Sequence, residues 1–205
     1  MIGRNCKVDR TAIISDTAEI GEACIIYPYV IIGENVKIGS HSILYPKALI
    51  YREVKIGEYC RIGNDASIRE GCKIGHHTQI GQKVGMECYT TIGNYTSIES
   101  QSHITGWMEI GDYVFVGGAV MTTNDLKMKY KREGHGNSLK GAKLCDYSRI
   151  GSGSILLPGV VVGKHSIVSV GEIVRKDIPD NTLMFTAKGK VIHKTIKPEE
   201  VKKDE

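Results

Sequence analysis

Residues 50–81 read IYREVKIGEYCRIGNDASIREGCKIGHHTQIG, and an isoleucine stands at every sixth position of this stretch. The anchors are Ile50, Ile56, Ile62, Ile68, Ile74 and Ile80. Because side chains alternate along a strand with a period of two, a period of six predicts short strands separated by turns. A glycine follows several of these anchors, as at Gly57 and Gly63, and relaxes the backbone where the chain turns a corner.

The same register extends through most of the chain. An aliphatic residue or methionine holds every sixth position from Ile2 to Val116. The run then resumes with the anchors Leu144, Ile150, Leu156, Val162 and Val168. A hexad is too short to bury its own aliphatic face, so three hexads must wrap into one coil and the coils must stack.

The composition agrees with a single core built from aliphatic side chains. Of 205 residues 41% are hydrophobic, yet only two are Phe and one is Trp, and 24 Gly interrupt any long helical pattern. The net charge of +4 is spread among interspersed acids and bases, which argues against nucleic-acid binding. No apolar run approaches the ~20 residues of a membrane-spanning helix, and no signal peptide opens the chain. We therefore expect a soluble, cytoplasmic protein without membrane or nucleic-acid partners.

The period breaks once. After Val116 the next anchor falls at position 122, but the run resumes at Leu144, and this shift is not a multiple of six. We therefore expect residues 122–143 to leave the helix as a loop, and a loop of this length is usually functional or disordered. The chain thus divides into a repeat region at 1–175, with loop 122–143 extruded, and a short irregular C-terminal tail at 176–205. The repeats predict about eight coils.

Residues 151–182, GSGSILLPGVVVGKHSIVSVGEIVRKDIPDNT, carry the strongest local resemblance to a known family. With the repeat, they resemble the hexapeptide-repeat acyltransferases, whose members fold as left-handed triangular β-helices and assemble as homotrimers. The resemblance implies an all-β, left-handed parallel β-helix and an acetyltransferase that takes its acetyl group from acetyl-CoA. Two features depart from the family pattern: Glu172 stands where the family prefers Ser or Ala, and residues 185–192 replace a Gly-x-Pro-Ala stretch.

A second, shorter resemblance concerns the acceptor. Residues 111–118, GDYVFVGG, and the following Thr123-Asn124-Asp125 resemble N-acetyltransferases that modify amino groups on nucleotide-linked sugars. The resemblance implies transfer of the acetyl group to the amine of a nucleotide-linked amino sugar. The alternatives are O-acetylation of a sugar or small alcohol and a β-helix scaffold without catalysis, because a fold alone does not fix a function.

His103 is the candidate general base. It is the sixth residue of the hexad that begins at Ile98, and the equivalent residue one coil later is Met121, directly before the long loop. His103 should therefore lie about one strand spacing, ~4.8 Å, below the root of the loop. An imidazole that titrates near neutrality suits proton removal from an attacking amine, with Asn124 and Asp125 as substrate-binding residues. The alternatives are an exposed His without a role and a substrate-assisted reaction.

Acetyl-CoA is expected in a groove between subunits, where missing side chains let its pantetheine arm approach the backbone. The candidate residues are Gly117, Gly118, Gly141, Ser152 and Gly153. Backbone N–H groups around Gly117 and Gly118 are also candidate oxyanion donors. Arg175 and Lys176 follow the last hexad, where similar proteins place the nucleotide end of coenzyme A. The basic residues of the loop either meet phosphates or form a solvated face.

Cysteine and histidine positions argue against a metal site. Cys6, Cys24 and Cys60 differ by multiples of eighteen and share an inward column, as expected for small buried residues of a reduced core. An outward column at one corner contains His41, Tyr59, His77, Tyr95 and Tyr113. Coil spacing separates His41 from His77 by roughly 10 Å, too far for one zinc ion, so no metal is expected. This aromatic ladder is either a subunit interface or simple self-stacking along an edge.

Overall fold

The computed structural model describes residues 1–128, 133 and 139–198. Within these residues the chain forms 28 strands and no helix. The first 26 strands are two residues long and belong to three parallel sheets, which form the faces of a triangular prism. The predicted all-β, left-handed parallel β-helix is confirmed, with about nine turns rather than eight.

The strands fall on faces I, II and III in strict rotation until the last two, which both join face I. Face I contains β1 (Lys7–Val8), β4 (Ile25–Ile26), β7 (Ile43–Leu44), β10 (Arg61–Ile62), β13 (Gln79–Ile80), β16 (Ser97–Ile98), β19 (Phe115–Val116), β22 (Arg149–Ile150), β25 (Ile167–Val168), β27 (Thr182–Ala187) and β28 (Lys190–Thr195). Face II contains β2 (Ile13–Ile14), β5 (Ile31–Ile32), β8 (Leu49–Ile50), β11 (Ser67–Ile68), β14 (Gly85–Met86), β17 (His103–Ile104), β20 (Met121–Thr122), β23 (Ile155–Leu156) and β26 (Ile173–Val174). Face III contains β3 (Glu19–Ile20), β6 (Lys37–Ile38), β9 (Lys55–Ile56), β12 (Lys73–Ile74), β15 (Thr91–Ile92), β18 (Glu109–Ile110), β21 (Lys143–Leu144) and β24 (Val161–Val162).

The predicted anchors form the core. Each strand pairs in parallel with the strand one coil away, so Ile62 lies between Leu44 and Ile80. The second residue of each strand points inward, and all three of these side chains are buried. Burying one such side chain contributes about 1.5–3 kcal/mol. At the N-terminal end, where only one neighbouring coil is available, Ile2 and Val8 stay partly exposed.

Small polar side chains bridge the coils from inside. In the inward column that contains Cys24, Ser42 and Cys60, each thiol or hydroxyl group donates a hydrogen bond to a corner carbonyl of the next coil. The distance is 3.3 Å from Cys24 Sγ to Gly39 O and 3.0 Å from Ser42 Oγ to Gly57 O. Cys24 and Cys60 are buried, as predicted, whereas Cys6 in the first coil is only partly buried. A buried polar group costs little when it is hydrogen-bonded, so the column is compatible with the core.

The long loop is shorter at both ends than predicted. Thr122 stays in β20 and fills the anchor position, and Lys143 already belongs to β21, so the excursion spans residues 123–142. A polar anchor is tolerated because Thr122 Oγ1 donates to the His103 carbonyl at 3.1 Å and accepts from the Thr105 N–H at 2.8 Å. Glu109 pairs with Lys143, 34 positions later instead of the usual 18, so the helix continues with its sheets unchanged.

The C-terminal tail is more regular than predicted. Strands β27 and β28 form an antiparallel hairpin, and β27 pairs in parallel with β25 on face I. Glu172, the residue that departs from the family pattern, holds this hairpin. Its carboxylate accepts the Thr186 N–H at 2.6 Å and the Thr186 hydroxyl at 2.7 Å.

The aromatic ladder stands at the corner between faces III and I and is longer than the sequence predicted. Stacked rings run from His41 to Tyr113 as expected and continue through Tyr147 to His165. Ring centroids are 4.7–5.0 Å apart and interplanar angles are 2–9°. The two additional rings escaped the spacing argument because the loop adds 16 positions between Tyr113 and Tyr147. Self-stacking is therefore observed, and a role as a subunit interface stays a prediction.

Candidate active site

Face II differs from the other two faces in its charge. The first residue of each strand points outward, and in the nine described strands of face II none of these residues is Asp, Glu, Lys or Arg. On face III six of the eight outward residues are charged, and Lys37 and Lys143 pair with Glu19 and Glu109 at 2.9 Å. Large apolar side chains stand in the face II column, including Ile13 and Ile31, which are 64% and 41% exposed.

His103 is the one imidazole in the face II column. It is the outward residue of β17, partly buried, and lies between Gly85 below and Met121 above. A Cβ atom at Gly85 would lie 3.2 Å from His103 Nδ1, so the ring leans over the position where Gly85 lacks a side chain. The predicted position of His103, one strand below Met121 and the loop root, is confirmed by this register.

The loop leaves the prism at the corner between faces II and III. Its two ends are joined, because the Lys140 N–H donates to the Asn124 carbonyl at 2.9 Å. The Asp125 carboxylate accepts the Lys127 N–H at 3.1 Å and so holds the first turn of the loop. Asn124 and Asp125 therefore lie at the base of the loop, next to the upper neighbour of His103, and their binding of substrate stays a prediction.

Four of the predicted acetyl-CoA residues meet at the corner between faces I and II. The Gly153 N–H donates to the Gly118 carbonyl at 2.9 Å, and a Cβ at Gly117 would lie 2.6 Å from the Ser152 nitrogen. Gly117 is thus required by coil stacking, and its N–H is used between coils, where it donates to the Ile150 carbonyl at 2.8 Å. A role of the N–H groups around Gly117 and Gly118 as oxyanion donors stays a prediction. Gly153 has a φ of +69°, and among the described residues no atom lies within 4 Å of its missing Cβ.

Gly141 does not lie with the other four. It ends the loop at the corner between faces II and III, across face II from Gly118 and Gly153. A Cβ at Gly141 would lie 2.5 Å from the Trp107 carbonyl oxygen, so close packing on Trp107 explains the glycine. A groove between subunits can bring together different corners of neighbouring copies, so a role of Gly141 in acetyl-CoA binding stays a prediction.

Arg175 and Lys176 lie at the C-terminal end of the prism. They follow β26 and line a cavity of about 470 Å³ together with Ile178, Met184 and His193. Both basic side chains are exposed. Arg175 is three coils above His103, and at ~4.8 Å per coil the separation along the axis is roughly 14 Å.

Other expectations concern charge and metals. Of the basic loop residues, Lys129, Lys131 and Arg132 lie outside the described residues. In the described ranges, no group of three or more His, Cys, Asp or Glu side chains is placed to share a metal ion. The part of the chain that the structure covers likewise contains no helix long and apolar enough to cross a membrane.

Sequence reasoning missed two features beside His103. Gly85 was not distinguished from the other glycines of the repeat. It lies eighteen positions before His103, so the spacing alone could have shown that the two residues are neighbours in the outward column. Tyr89 and Trp107 are stacked at the corner where the loop leaves, with centroids 6.3 Å apart. Their eighteen-residue spacing is visible in the sequence, but two residues made a weaker pattern than the ladder at the neighbouring corner.

Comparison with known proteins finds similar sequences for part of the repeat region. The family model described as bacterial transferase hexapeptide (six repeats) matches residues 17–52 and 53–87. A segment of 36 residues is 53% identical to a galactoside O-acetyltransferase from Lactococcus lactis; it covers 18% of this chain and 17% of that protein. The match thus spans well under a quarter of that relative's length.

Solved structures share the fold. A UDP-N-acetylglucosamine acyltransferase from Francisella novicida aligns over 92% of this chain and 70% of its own, with a TM-score of 0.77 and 22% identity. The Arabidopsis UDP-N-acetylglucosamine acyltransferase aligns over 92% of this chain and 74% of its own, with a TM-score of 0.65 and 18% identity. The hexapeptide match over residues 17–87 and the shared three-faced β-helix show that the repeats of this chain are similar to those of the bacterial hexapeptide transferases.

Proposed function

We propose that this protein is an acetyltransferase that moves the acetyl group of acetyl-CoA to the amino group of a nucleotide-linked amino sugar. The observation that carries the proposal is the position of His103. It is the imidazole on the uncharged face, between an open, glycine-rich corner on one side and the loop root on the other. A donor approaching from the glycine corner and an acceptor held under the loop would meet at this side chain.

The chemistry requires one proton transfer at His103. Acetyl-CoA supplies the activated thioester carbonyl. The imidazole accepts the proton from the acceptor nitrogen as that nitrogen bonds to the carbonyl carbon, and the protonated imidazole returns a proton to the departing thiolate. One imidazole can thus act as the base in the first step and, once protonated, as the acid in the second.

Gly118, Ser152 and Gly153 bind the pantetheine arm of acetyl-CoA. Arg175 and Lys176 lie toward its phosphates. The open space at Gly153 supports this assignment, because a groove without side chains lets an extended arm lie against the backbone. Arg175 and Lys176 are exposed, so their attraction for phosphate should be weak and screened by salt. Neutralising them should therefore cost affinity for acetyl-CoA mostly at low salt.

We propose a homotrimer that associates through the N-terminal part of face II, at Ile13 and Ile31, which lie at least four coils below His103. An uncharged column with exposed isoleucines favours burial between copies, because charged residues are depleted from interface cores. The substitution Ile31→Glu should dissociate the assembly, whereas Lys55→Glu on face III is the matched control and should leave it intact. Sedimentation at micromolar concentration measures both. A monomeric wild-type protein would contradict this part of the proposal.

The activity is tested by incubating the protein with acetyl-CoA and a panel of amino sugars, free and nucleotide-linked, and measuring acetylated products by mass spectrometry. The expected result is acetylation of a nucleotide-linked amine. Calorimetry with coenzyme A alone provides an independent measurement, and a flat trace at millimolar ligand would favour a non-catalytic scaffold.

O-acetylation of a sugar is the second candidate. It is favoured by the 53% identity over 36 residues to the galactoside O-acetyltransferase, whereas the N-acetyl reaction rests on the resemblance carried by residues 111–125. The same panel separates the two reactions when the products are treated with alkaline hydroxylamine. This reagent removes the acetyl group from an ester but does not cleave an amide. Loss of the product mass after that treatment would establish O-acetylation.

A further inference from the structure

Two of the aromatic stacks at the corners of the prism differ in how closely their rings lie. In the long ladder, neighbouring centroids are 4.7–5.0 Å apart and nearly parallel, so each inner ring has both faces covered. Tyr89 and Trp107, here called the corner pair, are 6.3 Å apart with an interplanar angle of 27°. The two side chains are 53% and 45% exposed. Ladder rings such as Tyr95, at 50%, are equally exposed, so the difference lies in the wider and less parallel stacking, which leaves the facing surfaces of the corner pair less covered.

Neighbouring glycines fix the corner pair in place. The Tyr89 ring lies over Gly71, where a Cβ would approach the ring to 2.6 Å, and the end of the loop at Gly141 packs against the Trp107 backbone. The pair is thus supported from below by Gly71 and stands beside the returning loop. A rigid aromatic surface loses little conformational entropy when a ring stacks on it.

The Arg69 guanidinium group, next to this corner, is already engaged. Arg69 lies 3.2 Å from the Glu70 carboxylate and 3.8 Å from that of Glu87, and it stacks on the Tyr51 ring at 5.4 Å. Its charge is therefore balanced locally. Arg69 therefore adds little attraction for a phosphate beside the corner pair.

The corner pair lies within reach of the candidate base. Trp107 follows His103 by four residues, so at ~3.3 Å per residue their Cα atoms are at most roughly 13 Å apart. His103 lies within face II, and Trp107 lies at the corner where its strand ends, on the side opposite the glycine corner assigned to the donor. This separation suits an acceptor that has its reacting amine at one end and a flat ring at the other.

We infer that the corner pair stacks the nucleobase of the acceptor, and that Trp107 and Tyr89 determine the preference for a nucleotide-linked over a free amino sugar. The inference rests on the proposed function for the identity of the acceptor. Stacking on an aromatic side chain tolerates any base, because every base has a π face, so the corner selects the presence of a base more than its identity.

Trp107 is the single tryptophan of the chain, so intrinsic tryptophan fluorescence reports on this corner alone. Titration with UDP or GDP should quench the emission saturably, whereas inorganic pyrophosphate should leave it unchanged. Equal quenching by pyrophosphate, or no saturable change with any nucleoside diphosphate, would overturn the inference. Quenching by coenzyme A alone would place the donor's adenine here and would overturn it as well.

Kinetic variants provide the second test. Trp107→Ala should lower kcat/KM for the nucleotide-linked amino sugar about ten- to a hundredfold, mostly through KM, and should leave the free amino sugar unaffected. Trp107→Phe keeps a flat ring and should restore much of the loss. His41→Ala, which removes an exposed ring at the end of the ladder, is the matched control. Equal losses for both acceptors in Trp107→Ala would contradict the inference.

The proposed function and the stacking inference can be refuted independently of each other. If the wild-type protein acetylates an amine but nucleotides do not quench Trp107, the stacking inference alone is wrong. If nucleotides quench Trp107 but no amine is acetylated, the proposed function is wrong and the corner pair remains a nucleotide-binding site.

Discussion

The substitution Gly85→Ala tests whether the orientation of His103 matters. Gly85 has no positive φ and lies in β14, so alanine can adopt its backbone without strain. Replacing glycine by alanine at such a position stabilises a protein by about 0.4–1 kcal/mol, because the unfolded chain loses freedom. The stability of this variant should therefore be equal to or higher than that of the wild type.

Activity should change in the opposite direction. The new Cβ would lie 3.2 Å from His103 Nδ1, which is tighter than ordinary van der Waals contact, so the imidazole must move by a few tenths of an ångström. If a misplacement of about 1 Å costs roughly a hundredfold in rate, this movement should lower kcat about three- to tenfold. KM for acetyl-CoA should stay unchanged, because the donor residues lie at another corner.

The assay is thiol release from acetyl-CoA in the presence of an acceptor, measured across pH and combined with urea denaturation. Ser67→Ala is the control, since Ser67 is the register partner of Gly85 one coil further from His103. A stable Gly85→Ala protein with wild-type kcat at every pH would refute the claim that the position of this imidazole limits the reaction.

Three further predictions concern stability and reactivity. Glu172→Ala removes both acceptors of Thr186 and should lower the free energy of unfolding by about 1–3 kcal/mol, measured by urea denaturation. Burial raises the pKa of the Cys72 thiol to about 12, so iodoacetamide should not alkylate it in the native protein at pH 7, as measured by peptide mass spectrometry. Partial burial raises the pKa of the Asp146 carboxyl group. The hydrogen bond from the Asp112 N–H and the ion pair with Lys164, whose Nζ lies 3.1 Å from Asp146 Oδ2, outweigh burial, so the pKa is lowered overall. Asp146→Asn should therefore cost at most about 1 kcal/mol at pH 7, and the difference should vanish as the pH falls below the ordinary value of about 4.

Each of these predictions has a control. Thr186→Val should reproduce part of the Glu172 effect, and an unchanged melt in both variants would show that the hairpin is held by other contacts. Cys88, which is partly exposed, should be alkylated before Cys72, and the reverse order would contradict the burial argument. The folded pKa of Asp146 is lowered, so its stabilisation exists above the unfolded pKa and is lost in acid. A difference from Asp146→Asn that persists at pH 2 would assign the effect to packing.

Most of the fold could be predicted because the same pattern, one inward anchor in every six residues, recurs along the sequence. Each anchor such as Ile62 must point inward, and the spacing of eighteen fixes its partners above and below. The loop boundary was missed because Thr122 is a polar anchor that satisfies its hydroxyl inside the core. The hairpin was missed because Glu172, an unusual inward residue, bonds to a strand outside the repeat.

The site was less predictable, because it depends on which corner a residue occupies. Counting from the anchors placed His103 correctly below the loop root. The same counting could not locate Gly141, whose position depends on where the loop returns, nor show that the N–H of Gly117 is used between coils. Gly85 and Trp107 became candidates only when the column and the corner beside His103 were visible.

The central claim is that His103 removes the proton from an amine that is acetylated by acetyl-CoA. The most direct measurement compares single-turnover rates of acetyl transfer for the wild-type protein and His103→Ala, with a nucleotide-linked amino sugar as acceptor. The account predicts acetylated amine from the wild-type protein and a rate at least ~100-fold lower in the variant, with oligomeric state and coenzyme A affinity unchanged. A near-normal rate in His103→Ala would contradict it.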